Sequence, residues 1–163
     1  MENYIVINGK KAELTPEQLK ALGLEMEINP FKRVEEDKSY FFITGTGEIQ
    51  MSIDADVAAN RGHLNAANYC TDREMMQQRA YAETLNRLLW RYSMEHKGNE
   101  IGWEADENKY GIIYDYDEER WRVYSAMYHQ HVGAVYFYSK ETAESAIREI
   151  VQPFLYENPD FKF

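Results

Sequence analysis

Two histidines, His129 and His131, alternate along an extended stretch and so turn both imidazoles to one side, as a metal site on a strand requires. No cysteine, histidine or carboxylate triplet at ligand spacing completes a tetrahedron with them, and the pair reads as a solvated link. Asp54 and Asp56 form an Asp-x-Asp pair able to hold magnesium through carboxylate oxygens. In a loop such a pair is ordinarily just solvated. The single cysteine, Cys70, meets no motif, and no serine stands in a Gly-x-Ser-x-Gly elbow. Gly45-Thr46-Gly47 lacks the lysine and following helix of a phosphate loop. These residue types imply no metal and no cofactor, and the expectation is a protein that binds and does not catalyse.

The strongest chemical signal is instead acidic and aromatic. The 163-residue chain carries a net charge of −10, which argues against ordinary nucleic-acid binding, because lysine and arginine supply most of that affinity. A basic partner fits better. From Asn99 to Glu119 stand Glu100, Glu104, Asp106, Glu107, Asp115, Asp117, Glu118 and Glu119, against Lys109 alone. Trp103, Trp121 and a crowd of tyrosines flank them. The candidate partner-binding residues are therefore Trp103, Glu104, Asp106, Glu107, Asp115, Asp117, Glu118, Glu119 and Trp121. Exposed carboxylates steer encounter, and aromatic neighbours supply anchors that lose water on binding. The tyrosine strands resemble a base-stacking platform in composition, but the adjacent carboxylates would repel phosphates. Half-buried packing is the ordinary role of strand tyrosines.

The elements that must position these residues follow from pattern. Tyr4–Ile7 and Lys11–Leu14 flank Asn8-Gly9, the pair best suited to a type I′ hairpin turn. Thr15-Pro16-Glu17-Gln18 opens a short helix with a capping box, closed at Gly23. Asn29-Pro30-Phe31 breaks the pattern. Residues 40–43 and 48–51 make a second hairpin, 54–66 a loop, and 67–70 a short strand feeding a long helix from Thr71 to Lys97. Thr71 is the expected cap of that helix, with Glu74 completing the box and Gly98 the stop. Gln78, Tyr81, Ala82, Leu85, Leu88, Leu89 and Tyr92 share one side of it. A second stripe, Met76, Ala80, Glu83, Arg87, Trp90 and Met94, runs along the opposite side, either under the N-terminal hairpin or open to a partner. A third hairpin joins 110–114 to 121–124. Residues 134–138 then form a strand leading to a helix capped by Ser139, with Pro153 ending or kinking it.

The expected fold is α+β: a mainly antiparallel sheet with the long helix and a shorter one on one face, plus an N-terminal hairpin and short helix. One domain over 1–163 divides into 1–28, 31–98 and 109–156. The last two segments share the order strand, turn, strand, link, strand, capped helix, which admits a ββ-link-βα duplication. Units of this kind also recur in unrelated α+β proteins. No run reaches the ~18 apolar residues of a membrane span. With one cysteine and Met1 to Ile7 already strand-like, the expected compartment is the cytoplasm.

The ordering Ile7-Asn8-Gly9-Lys10, Leu14-Thr15-x-Glu17-Gln18, Leu22-Gly23-Leu24, Asn29-Pro30-Phe31-x-Arg33 and Tyr40-x-x-Ile43, with Asn68-Tyr69 before a capped helix, resembles small proteins of phages and integrative elements of Gram-positive gut bacteria. Those motifs are structural signposts. Some compact acidic proteins of that group are anti-CRISPR or other counter-defence inhibitors, so the resemblance implies an inhibitor that occupies the basic surface of a nucleic-acid-directed enzyme such as a CRISPR effector nuclease. The competing expectation is a small DNA- or RNA-associated accessory protein of a mobile element, using the aromatic sheet or the arginines Arg79, Arg87 and Arg91.

Overall fold

Asn8-Gly9 leaves room for only two residues between strands, and the register obeys it. In the computed structural model, which describes residues 4–7, 10–15, 18, 21–22, 29–96 and 107–162, β1 (Tyr4–Ile7) pairs antiparallel with β2 (Lys10–Glu13), Ile7 opposite Lys10. The capping box also forms: Gln18 Oε1 accepts from the Thr15 N–H at 2.8 Å, and Thr15 Oγ1 from the Gln18 N–H at 3.3 Å. These residues belong to a first compact unit, Met1–Lys32; Arg33–Phe163 form the second. Gly23, Lys97 and Gly98 lie outside the described residues.

In the second unit, β3 (Ser39–Ile43) pairs with β4 (Ile49–Ile53), and β5 (Lys109–Asp115) with β6 (Arg120–Ala126), both antiparallel. The fold is α+β. Among the described residues its strands make three separate two-stranded sheets, not one continuous sheet. Two short segments explain the separation by occupying the edges through which β3 and β5 could have joined. Phe41 and Cys70 exchange both backbone hydrogen bonds at 2.7 and 3.0 Å, and Tyr110 and Phe137 do so at 2.9 and 2.7 Å. Each segment is a single bridge, not the strand expected at 67–70 or 134–138. Ala67 turns away with φ of 53°, and the Asn68 amide substitutes for backbone, accepting from the Ile43 N–H at 2.8 Å and donating to its carbonyl at 2.7 Å.

Residues 54–66 hold a helix where a loop was expected: α1, Ala58–Asn65. Asn60 starts it by accepting from the N–H groups of Val57 and Ala55 at 3.2 and 3.1 Å. The long helix α2 spans Arg73–Glu95, and its cap is Asp72, not Thr71. Asp72 Oδ1 takes the Met75 N–H at 2.9 Å, and its charge faces the positive end of the helix dipole. Ser139 caps α3 (Lys140–Ala146), accepting from the Thr142 N–H at 3.0 Å. Pro153 neither ends nor breaks the helical path. A π turn at Ile147–Val151 carries the chain into α4 (Gln152–Glu157), whose start tolerates a residue without an N–H.

Both faces of α2 are used. Its first half buries Met76 and Ala80 with Ile43 and Cys70, so β3 and β4 cover the start of the second stripe. Leu85 joins Val151 and Phe154, with Leu88 and Leu89 partly buried beside them. Tyr92 joins Phe137, Ala143 and Ala146 under β5 and β6. Asn86 and Ser93 tie the 133–136 link to the helix, donating to the carbonyls of Gly133 at 3.1 Å and Tyr136 at 2.5 Å. Among the described residues, no helix is long and apolar enough to cross a membrane.

Candidate functional site

The acidic edge is built on the four-residue connection between β5 and β6. Asp115 Oδ1 accepts from the N–H groups of Asp117 and Glu118 at 3.0 and 3.1 Å, a local carboxylate turn that closes the hairpin. Those N–H groups and the Arg122 guanidinium, 2.6 Å from Oδ2, hold the Asp115 carboxyl below the usual carboxylate range. Glu118 pairs with Arg120 and stands 3.7 Å from Arg122. Glu107 pairs with the buried Lys109 at 2.6 Å, whose ammonium lies 5.1 Å from the Tyr138 ring centre. The acidic excess therefore thins: Arg120 and Arg122, just past the run, offset Asp115 and Glu118. Asp117 and Glu119 are exposed and have no cationic partner within 4 Å among the described residues, with Glu119 at φ of 49°. Tyr116 between them and β5 is 70% exposed and meets Tyr114 edge-on at 5.0 Å. Trp121 is half-buried, packed on the Leu85–Val151–Phe154 cluster and edge-on to Tyr114 at 5.3 Å. The accessible aromatic of this turn is thus Tyr116. Trp103, Glu104 and Asp106 lie outside the described residues.

The second constellation is one the sequence does not bring together. Asp54 is fully buried, not solvated, and its carboxylate is saturated: Arg33 donates to both oxygens at 2.9 and 2.7 Å, the Tyr69 hydroxyl at 3.0 Å and the Asp56 N–H at 3.0 Å. The Arg33 fork holds this carboxyl well below the ordinary range, against the opposing effect of burial. Asp56 is also lowered, by Arg33 at 2.7 Å and by Arg61. Tyr69 stacks on Tyr40 with ring centres 4.0 Å apart, and the Tyr40 hydroxyl accepts from Asn60 Nδ2 at 2.9 Å and meets His63 Nδ1 at 2.8 Å. His63 in turn stacks on Phe42 at 4.1 Å. Such a network fixes the 33–37 segment, β3, α1 and the Tyr69 segment to one another. It engages both oxygens of Asp54, and no group of three potential metal ligands exists among the described residues.

The remaining titratable groups are held by packing and hydrogen bonds. Burial, followed by the hydrogen bond to Tyr136, pushes the Tyr124 phenol up to about 12, the wrong direction for a phenolate nucleophile. The Tyr136 hydroxyl accepts from the His131 N–H at 2.8 Å; His129 and His131 are exposed. His96 stacks on Tyr92 at 4.0 Å. Arg79 is held by Glu83 and by the carbonyl of Ala67. The far half of the second α2 stripe is open: Trp90 and Met94 are exposed.

No protein-family model, curated protein or solved structure matches the chain. The surfaces must therefore be read from their own geometry. The residues that sequence reasoning missed, Arg33, Asn60 and Tyr69, act through pairings over 15 to 35 positions. No spacing rule flags those. Arg120 and Arg122 were legible, since antiparallel pairing sets Asp115 opposite Arg120.

Proposed function

We propose that the protein is an acidic, protein-binding inhibitor that uses the β5–β6 turn to occupy a basic nucleic-acid-binding surface, in the manner of an anti-CRISPR or other counter-defence protein of a mobile element. The observation that carries this reading is the turn itself, where Asp117 and Glu119 project beside the exposed Tyr116 on a hairpin braced by the Asp115–Arg122 pair. Two unoffset carboxylates on a rigid hairpin can stand where a partner expects phosphates, and the tyrosine gives a contact that loses water on docking. The overall charge of −10 supports fast encounter with a cationic groove. The nucleic-acid accessory reading finds less support, because Arg79 is already engaged by Glu83 and Ala67, which leaves Arg87 and Arg91 without a basic strip around them.

The test is a cleavage assay with a purified guide-loaded CRISPR effector nuclease from a Gram-positive gut bacterium. Wild-type protein should slow target cleavage, with protection weakening as salt rises through the range where the Debye length falls below ~8 Å. Asp117→Lys with Glu119→Lys should relieve it, while Glu118 is kept because it braces Arg120 and Arg122. Equal protection by the double variant at low salt removes this turn from the mechanism.

A further inference from the structure

The β3–β4 turn lies along α2, and between them runs a groove of about 400 Å³ lined by Gly45, Thr46, Thr84, Arg87, Trp90 and Arg91. Glycine is required for this approach: Gly47 has φ of 92°, and a side chain there would meet Arg87 Nη2 at 2.8 Å and Thr84 Oγ1 at 2.9 Å. Three properties coincide in the groove. Its ionisable lining is cationic, although the whole chain is strongly acidic. Trp90 is 58% exposed, whereas Met76 and Ala80 on the same stripe are buried. Arg87 donates to the Thr84 hydroxyl at 3.1 Å and has no carboxylate within 4 Å among the described residues, so its guanidinium is oriented without being neutralised. Arg91 has only a long contact to Glu95, at 4.0 Å.

We propose that this groove binds a small planar aromatic anion of the nucleoside monophosphate class, the ring stacked on Trp90 and the phosphate held by Arg87 and Arg91. A bare carboxylate or phosphate would satisfy the guanidiniums and leave the indole unused, while a neutral ring would do the reverse. A ligand carrying both groups uses the indole and the guanidiniums together, and the Thr84 hydroxyl serves to orient Arg87 toward it. The volume falls near the low end for small-molecule sites. A long polyanion is disfavoured because each further phosphate would meet a net-negative molecule.

Isothermal titration calorimetry of the full chain with adenosine monophosphate, adenosine, inorganic phosphate and a short single-stranded oligonucleotide tests the assignment. The monophosphate should bind saturably, and adenosine or phosphate alone should bind at least about tenfold more weakly. Arg87→Gln should weaken the monophosphate about tenfold, and Trp90→Leu roughly five- to hundredfold, with the far-ultraviolet circular dichroism of both variants unchanged since both side chains are exposed. Absence of saturable monophosphate binding overturns the proposal. So does binding that both variants retain, or an oligonucleotide that binds more tightly than the monophosphate, which would make the groove part of a nucleic-acid track.

Discussion

Tyr69→Phe deletes one oxygen atom and keeps the ring, so it isolates the polar contribution of the Asp54 network from its packing. The hydroxyl donates to Asp54 Oδ2 at 3.0 Å and accepts from the Val34 N–H at 3.1 Å. A hydrogen bond to an ionised acceptor is worth about 1.5–3 kcal/mol, and a part-buried N–H left without its acceptor adds about 1 kcal/mol. The ring remains stacked on Tyr40 at 4.0 Å, so no cavity term enters. The sum is a destabilisation of about 2.5–4 kcal/mol, or a fall in Tm of roughly 5–15 °C for a domain of this size. Denaturant titration at neutral pH, with unchanged slope, measures it. Tyr40→Phe is the internal control: among the described residues its hydroxyl bonds to the Asn60 amide and the His63 ring and to no carboxylate, so it should cost about 1–2 kcal/mol. A Tyr69→Phe loss below about 0.5 kcal/mol, or one smaller than that of Tyr40→Phe, would refute the view that Asp54 organises this part of the fold.

Other perturbations separate the remaining elements. Because Arg33 depresses the folded-state carboxyl of Asp54, its stabilising effect is complete above the ordinary carboxylate range and lost as pH falls through the depressed value; acid titration of Asp54→Asn should show a shallower loss of stability than wild type. Tyr124 works in the opposite direction: its phenol stays protonated in the fold up to about 12, so stability should fall between about 10 and 12 as the unfolded chain ionises first, followed by phenolate absorbance. Gly111→Ala would set a Cβ 2.3 Å from the Tyr124 ring and should cost about 1–3 kcal/mol, whereas Gly45→Ala, with open space around it, should change little. Ala67→Gly should stabilise by about 0.5–1 kcal/mol, since the left-handed φ of 53° is unfavourable for alanine.

The parts of this fold that sequence resolves are those governed by neighbours. The Asn8-Gly9 hairpin, the Thr15–Gln18 box, the Ser139 cap and the leucine side of α2 each follow from residues within four positions of one another. Helix α1 is illegible for the same reason in reverse: its one buried residue is the polar Asn60, so no apolar stripe marks it. The bridges at Cys70 and Phe137 look like strands in sequence because each residue is apolar, yet each pairs with one partner alone; at Cys70 the ladder ends because Ala67 turns and the Asn68 amide takes the next pair of bonds. The acidic run ends at Glu119, and Arg120 and Arg122, which follow it in sequence, fold back onto Glu118 and Asp115. The two bridges fall two residues before their helix caps, Cys70 before Asp72 and Phe137 before Ser139.

The proposed function is tested most directly by stopped-flow association with a guide-loaded CRISPR effector nuclease at several ionic strengths. For wild type, the association rate constant should fall steeply with added salt, and Asp117→Lys with Glu119→Lys should both lower it at low salt and flatten that dependence, because steering by exposed charge acts mainly on encounter. Identical rate constants and identical salt dependence for the two proteins would contradict the assignment of the β5–β6 turn as the surface that meets the basic channel.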